Sequence, residues 1–244
     1  MKLLTSSDFK ITSCQATLFT PDGGLTTSRF LRDLFPKWTG RFNADPSVLP
    51  LPPDIPPEVP RIILSSSDTT WRCEIAPARI NLFCRKTSEE GPYPDIGAFF
   101  AEVQTLFQQY AEVSQERIAR LASVISRIAQ HENPGLLIAR HFCKERWDVA
   151  PFNRPENFEL HAHKKYSLGG QFQVNSWVRN KTGMWTGGKE VQPIVVVEQD
   201  INTLAESSPT QTFGIDEFKK FFLLTAIEFD SIMALYYPSE APVV

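Results

Sequence analysis

Hydrophobic and polar residues alternate most cleanly between Asn157 and Lys181. Phe158, Leu160 and Ala162 fall on one side, and Phe172, Val174 and Val178 repeat the pattern beyond Gly169-Gly170. The opposite positions are Glu159, His161, His163 and Lys165, then Gln173, Asn175, Trp177 and Arg179. A period of two around a glycine pair predicts an antiparallel hairpin. Strand side chains point to the two faces in turn, and glycine accepts the positive φ of a tight turn. One face of this hairpin is core. The other is a polar surface bearing two imidazoles, an indole and bases.

The same reading extends along the chain. Lys10 to Phe19 alternates as a strand, and Pro21-Asp22-Gly23-Gly24 ends it as a turn. Thr26 or Thr27 caps a helix through Pro36, with Phe30, Leu31, Leu34 and Phe35 as its apolar stripe. Residues 46–60 hold seven prolines in fifteen positions. Proline lacks an N–H and fixes φ, so helix and sheet are excluded there and a stiff polyproline-type connection is expected. Residues 60–66, 70–76 and 79–86 predict a three-stranded meander, with turns at Asp68-Thr69 and Pro77-Ala78. Asp95 then caps a long helix to about Ser114. Its inner side is Ile96, Phe99, Phe100, Val103, Phe107, Tyr110 and Val113.

Beyond it, residues 120–130 favour a strand, since Val124, Ile125 and Ile128 mix with Ser123, Arg127 and Ala129. Asn133-Pro134 predicts a helix start, with the helix running to about Trp147 and Leu137, Ile138 and Phe142 inward. Pro151 and Pro155 mark a loop that leads into the hairpin. Residues 192–200 read as a strand buried on both faces, because Ile194 to Val197 are apolar in a row. Residues 215–237 predict a helix in which Ile215, Phe218, Phe222, Ala226, Phe229, Ile232 and Tyr236 recur at helical steps. Asp216 and Glu217 suit its N-terminal dipole, and Pro238 ends it.

As elements, both halves run strand, helix, proline-containing loop, three strands, long helix. This predicts an α+β fold made of a duplicated unit, residues 8–115 and 116–238. The two units join edge to edge into one antiparallel sheet, with the helices packed on one face. The hairpin then has a counterpart at Thr70 to Lys86. The uncovered face gathers His161, His163, Lys165, Trp177 and Arg179, with Arg72, Arg79, Arg85 or Arg127 joining from other strands.

This layout and the stretches TWRCEIAPARINLFCRK, VVVEQDINTL and FKKFFLLTAIEFDSIMALYY resemble a sporadically distributed family of uncharacterised prokaryotic proteins of similar length. The resemblance implies no activity and no catalytic residue. The patchy occurrence of that family implies an accessory or defence-linked role. The order of elements is also similar in outline to the saddle of TATA-binding proteins.

Composition changes the picture in three ways. An apolar fraction of 42% with 18 Phe supports a large core and excludes a disordered chain. A net charge of -3 carries no overall nucleic-acid signature. The charge is nevertheless uneven. Residues 87–116 contain six acids and no Lys or Arg, whereas residues 159–181 contain one acid and four bases. The four cysteines show no CxxC spacing, which predicts free, buried thiols in a reducing compartment. The start MKLLTSSDF lacks a signal-peptide core, and no apolar run is long enough to span a bilayer. A cytoplasmic protein without membrane contact is expected.

Candidate chemistry is sparse. His161 and His163 share a strand face with Glu159, the geometry of a metal pair plus a third ligand. His131, His141 and Cys143 are too distant in sequence to complete a ligand set, so no metal is assigned. Glu198 and Asp200 share a face and suit Mg²⁺, but no companion base or third acid accompanies them. Gly23-Gly24, Gly169-Gly170 and Gly187-Gly188 are isolated turn pairs without a phosphate-binding or nucleophile motif, so no catalytic residue and no cofactor is assigned. The expected role is a non-catalytic binding or adaptor subunit of a larger prokaryotic complex, its partner another protein or a second copy. Its surface is His161, His163, Lys165, Trp177 and Arg179. The alternatives are nucleic-acid binding through the same basic, aromatic strand face, and a metal-dependent enzyme.

Overall fold

The structure is a computed structural model that describes residues 3–52, 54–88, 90–143, 150, 153–186 and 191–239. Pro53, Trp147, Pro151 and the Gly187-Gly188 pair lie outside the described residues. Nine strands form one antiparallel sheet among the described residues. They are β1 (Lys10–Phe19), β2 (Ser47–Val48), β3 (Ile62–Ser65), β4 (Trp71–Ala76) and β5 (Arg79–Arg85), then β6 (Arg120–Gln130), β7 (Glu159–Leu168), β8 (Phe172–Trp185) and β9 (Gln192–Thr203). The helices are α1 (Thr27–Asp33), α2 (Phe35–Trp38), α3 (Ile96–Ser114), α4 (Pro134–Phe142) and α5 (Ile215–Tyr236). The fold is α+β.

The sheet order is β2-β3-β4-β5-β1-β6-β9-β8-β7. It reads alike outward from the central β1–β6 pair, as β5, β4, β3 on one side and β9, β8, β7 on the other. The hairpin β7–β8 therefore matches β3–β4, not the stretch Thr70 to Lys86, which forms β4–β5. In each half the last strand returns to the centre and the strand before it lies one place further out. Chain order alone does not reveal that return.

Alternation decides which side chains meet the helices. Cys14, Ala16 and Leu18 of β1 lie beside Cys84, Leu82 and Ile80 of β5 and opposite Ile125, Ser123 and Leu121 of β6. All of them are buried. Over them pack Phe30 and Trp38, then Phe99, Phe100 and Phe107 of α3, then Phe218, Phe221, Phe222 and Phe229 of α5. Leu137 and Ile138 of α4 cover the β9 end together with Val195, Val197 and Val178. The other face carries no helix among the described residues. None of the described helices is long and apolar enough to cross a membrane.

Four local expectations are corrected. The first helix breaks at Leu34 and restarts as α2 with Pro36 in its first turn, where a missing N–H costs nothing. The proline-rich stretch is not free of sheet. Ser47 and Val48, between prolines, pair with Ile63 and Ile62. Asn133 occupies the N-cap of α4 without a side-chain cap bond, and the helix ends at Phe142 because Cys143 is extended. In α5 the buried set is Phe218, Phe221, Phe222, Thr225, Phe229 and Met233. Ile215, Ala226, Ile232 and Tyr236 sit at its margins.

The hairpin turn needs both its glycines. Gly169 and Gly170 have φ of 57° and 71°. A side chain on Gly169 would also meet Leu224 Cδ1 at 2.6 Å.

Candidate binding face of the sheet

The register of β7 with β8 sets Glu159 opposite Lys181, His161 opposite Arg179, His163 opposite Trp177 and Lys165 opposite Asn175. All of these point away from the helices. The five sequence-selected residues, His161, His163, Lys165, Trp177 and Arg179, thus share one patch. His163 stacks on Trp177 with ring centroids 4.3 Å apart and planes 19° apart. Its Nε2 lies 3.2 Å from Asn175 Oδ1. The Arg179 guanidinium lies 5.2 Å from the Trp177 ring and donates to Glu198 Oε1 at 2.9 Å. Lys165 Nζ donates to Glu206 at 2.6 Å, and His161 Nε2 lies 3.2 Å from Glu159.

The pairing of β8 with β9 brings in a second layer. Trp177 is opposite Asp200, and Arg179 is opposite Glu198. Arg120, at the start of β6, donates to Thr203 O at 3.0 Å and Asn202 Oδ1 at 2.7 Å, and lies over the Phe19 ring at 4.8 Å. Asn202 Nδ2 in turn donates to Asp200 Oδ1 at 2.9 Å. Arg120, Asn202 and Phe19 were not legible as site residues. They join the patch only through the β1–β6–β9 register, to which no single strand's alternation points.

On the other half of the face, Arg72 donates to Glu74 at 2.8 Å and Arg85 lies over Phe83 at 4.7 Å. Arg79 also lies on this face, its Nε buried without a partner. Arg127 does not. It faces the helices, 5% exposed, and donates to Gln199 Oε1, Phe229 O and Asp230 Oδ1. The face is therefore of mixed sign, with arginines interleaved among carboxylates and rings.

No group of three or more metal-ligating side chains gathers among the described residues. Glu159 turns to His161, and His163 stacks on Trp177 instead, so the His-x-His pair does not converge with its expected third ligand. The cysteines are free thiols. Burial pushes Cys84 up to about 11 and also raises Cys14 and Cys73, as expected of thiols packed in the core.

Burial also pushes the Asp200 carboxyl above its ordinary value, against the opposing pull of the Asn202 hydrogen bond and of Arg179 and Arg120. The folded state then holds a proton that the unfolded chain releases. Stability is consequently lost as pH rises from the ordinary carboxylate range through the raised value, and it stays lower above that. Asp200→Asn is expected to raise the melting temperature at pH 7 and to leave it unchanged near pH 3. A lower melting temperature at pH 7 would mean that attraction to the arginines outweighs burial.

No family model and no curated relative matches the chain. Among solved structures, a chain titled Methanococcus jannaschii TBP is similar at 12% identity with a TM-score of 0.28, over 91% of this chain and 98% of that one. A likeness of that size carries no argument about function.

Proposed function

We propose that this protein is a non-catalytic binding subunit that holds another protein on the open face of its sheet. The observation that carries the reading is the interleaving of charge there. Arg179, stacked on Trp177, is partnered by Glu198, and Asp200 lies within the same patch. A surface that tracks a phosphate backbone presents a continuous basic groove to release counterions. A protein interface instead combines aromatic and arginine anchors with polar groups of both signs. Three buried free thiols fit a reducing compartment such as the cytoplasm.

The test pairs two measurements on the wild type and on the double variant Trp177→Ala/Arg179→Glu. One is stoichiometric co-purification of a partner from the native host. The other is retention of a fluorescent single-stranded oligonucleotide at low and physiological salt. The expected result is a partner lost from the double variant, with no oligonucleotide held at physiological salt. Salt-sensitive oligonucleotide binding that the double variant abolishes, with the partner still bound, would replace this reading with nucleic-acid recognition.

A further inference from the structure

We infer that α5 joins the protein to a second copy of itself, pairing antiparallel with α5 of that copy through the side that faces away from the sheet. The pairing uses no residue of the open face.

The first observation is a second stripe on the helix. Phe218, Phe221, Phe222, Thr225, Phe229 and Met233 are buried on its inner side, where Phe222 meets Phe100 and Phe107 of α3. Asp216, Lys220, Leu223, Ile227, Asp230 and Ala234 lie on the opposite side, and all six are exposed. They recur at alternating steps of four and three residues. That is the a/d spacing along which two helices wind on each other. Leu223 and Ile227, 58% and 61% exposed, stand at its centre. A helix that is apolar on two opposite sides is one that is covered on both.

The second observation selects the occupant. Lys220, Leu223, Ile227 and Asp230 are spaced by three, four and three residues, so the spacing reads alike from either end. The apolar pair is central, and the two ends carry opposite charges. A second α5 laid antiparallel about a two-fold axis at the level of Thr225 sets Leu223 opposite Ile227 of the other copy. It also sets Lys220 opposite Asp230, and Asp216 opposite Ala234. Each of these contacts occurs twice. An interface between identical copies related by a two-fold axis must be self-complementary in this way. Parallel pairing in register would instead set Lys220 against Lys220 and Asp230 against Asp230.

The third observation is that the surroundings leave this stripe available. Lys220 makes no ion pair among the described residues. Asp230 accepts from Arg127 at Oδ1 and is still 68% exposed, so its second oxygen remains for a lysine. The other charges of the helix are engaged elsewhere. Lys219 donates to Gln108, Tyr166 donates to Glu228, and Gly214 N donates to Glu217. The adjacent α3 presents Ala98, Ala101 and Thr105, small and exposed, so a second helix lies along α5 without collision.

The described helices pack on one face of the sheet. Pairing through their outer side therefore leaves the two open faces pointing away from each other. Resting on the function proposed above, the dimer is a bivalent binder that links two partner molecules. Dimerisation itself does not depend on that function. The seam is short, so the association is weak. At the dilution of an optical unfolding experiment the protomer stands alone, with Leu223 in water.

The experiment is sedimentation velocity of the full chain at rising concentration, which should show a reversible monomer–dimer equilibrium. Leu223→Asp should abolish the dimer with the far-UV spectrum and melting temperature unchanged. Lys220→Asp and Asp230→Lys should each weaken association by about tenfold, because each sets like charges opposite one another twice. An equimolar mixture of these two variants should recover wild-type association, since the mixed dimer carries only opposite-charge pairs. If Asp230→Lys unfolds beside Arg127, Lys220→Asp alone carries the charge test and Ile227→Asp repeats the apolar one. Trp177→Ala/Arg179→Glu should still dimerise, and Leu223→Asp should still co-purify the open-face partner, so the two proposals fail separately. A monomer at every concentration would overturn the inference. So would a dimer indifferent to Leu223→Asp, or full association of Lys220→Asp by itself. A different protein that co-purifies with the wild type and is lost from Leu223→Asp would also overturn it, because that protein would then occupy the stripe.

Discussion

Replacing Phe222 with alanine is expected to destabilise the protein by about 3–5 kcal/mol, the range for truncating a buried aromatic ring. Phe222 is fully buried. Its ring meets Phe100 at 5.7 Å, Phe107 at 5.7 Å and Phe221 at 5.4 Å, so it joins α5 to α3. The partners are themselves buried in the same cluster and cannot easily close over the void. Part of the cost is lost transfer free energy, and part is the cavity that remains. For a chain of this size the melting temperature should fall by on the order of 10 °C. The control is its neighbour Leu223, 58% exposed. Leu223→Ala should stay within about 0.5 kcal/mol of wild type. A loss below about 1 kcal/mol for Phe222→Ala in a denaturant titration would mean that the α3–α5 contact does not hold the fold.

The second large effect is expected at Arg127. Its guanidinium donates to Gln199 Oε1 at 2.7 Å, to Phe229 O at 3.2 Å and to Asp230 Oδ1 at 2.6 Å. It joins β6 to β9 and to α5 from inside the helix face. Arg127→Ala removes a long stem from the core and leaves the Gln199 and Phe229 acceptors with fewer donors. The expected cost is about 2–4 kcal/mol. Asp230 is 68% exposed, so its carboxylate is rehydrated and adds little to that loss. Arg127→Met should recover much of the stability, because an apolar stem refills the space without a buried charge. Equilibrium unfolding of the three proteins decides the point. If Arg127→Ala were as stable as wild type yet lost its partner, Arg127 would belong to a binding surface after all.

Arg127 also shows where sequence reading stops. Along β6 both faces are mixed, with Leu121, Ser123, Ile125 and Arg127 on one and Arg120, Ala122, Val124 and Ser126 on the other. Polarity does not say which face meets helices. The side chain that looks exposed is buried, and Arg120 lies on the open face instead. The same limit applies to α5. Its apolar residues run almost all the way round, including Leu223, Ile227 and Leu235, each more than half exposed. Helical periodicity therefore selects Ile232 and Tyr236 as readily as Phe221 and Met233.

What the sequence determined by itself is local. The alternation from Asn157 to Lys181 sorted the side chains of that hairpin between two faces, because a strand has period two and a glycine turn closes it. It also set the order of strands and helices, and with it the α+β class. The tertiary structure decided the rest. The return of the last strand of each half to the centre brought Arg120, Asn202 and Asp200 beside Trp177 and Arg179. It also made β7 the outermost strand among the described residues, while a proline-bounded segment pairs with β3 at the other end. Those outcomes depend on hydrogen bonds and packing between residues tens of positions apart, and no local pattern encodes which distant strand will be the neighbour.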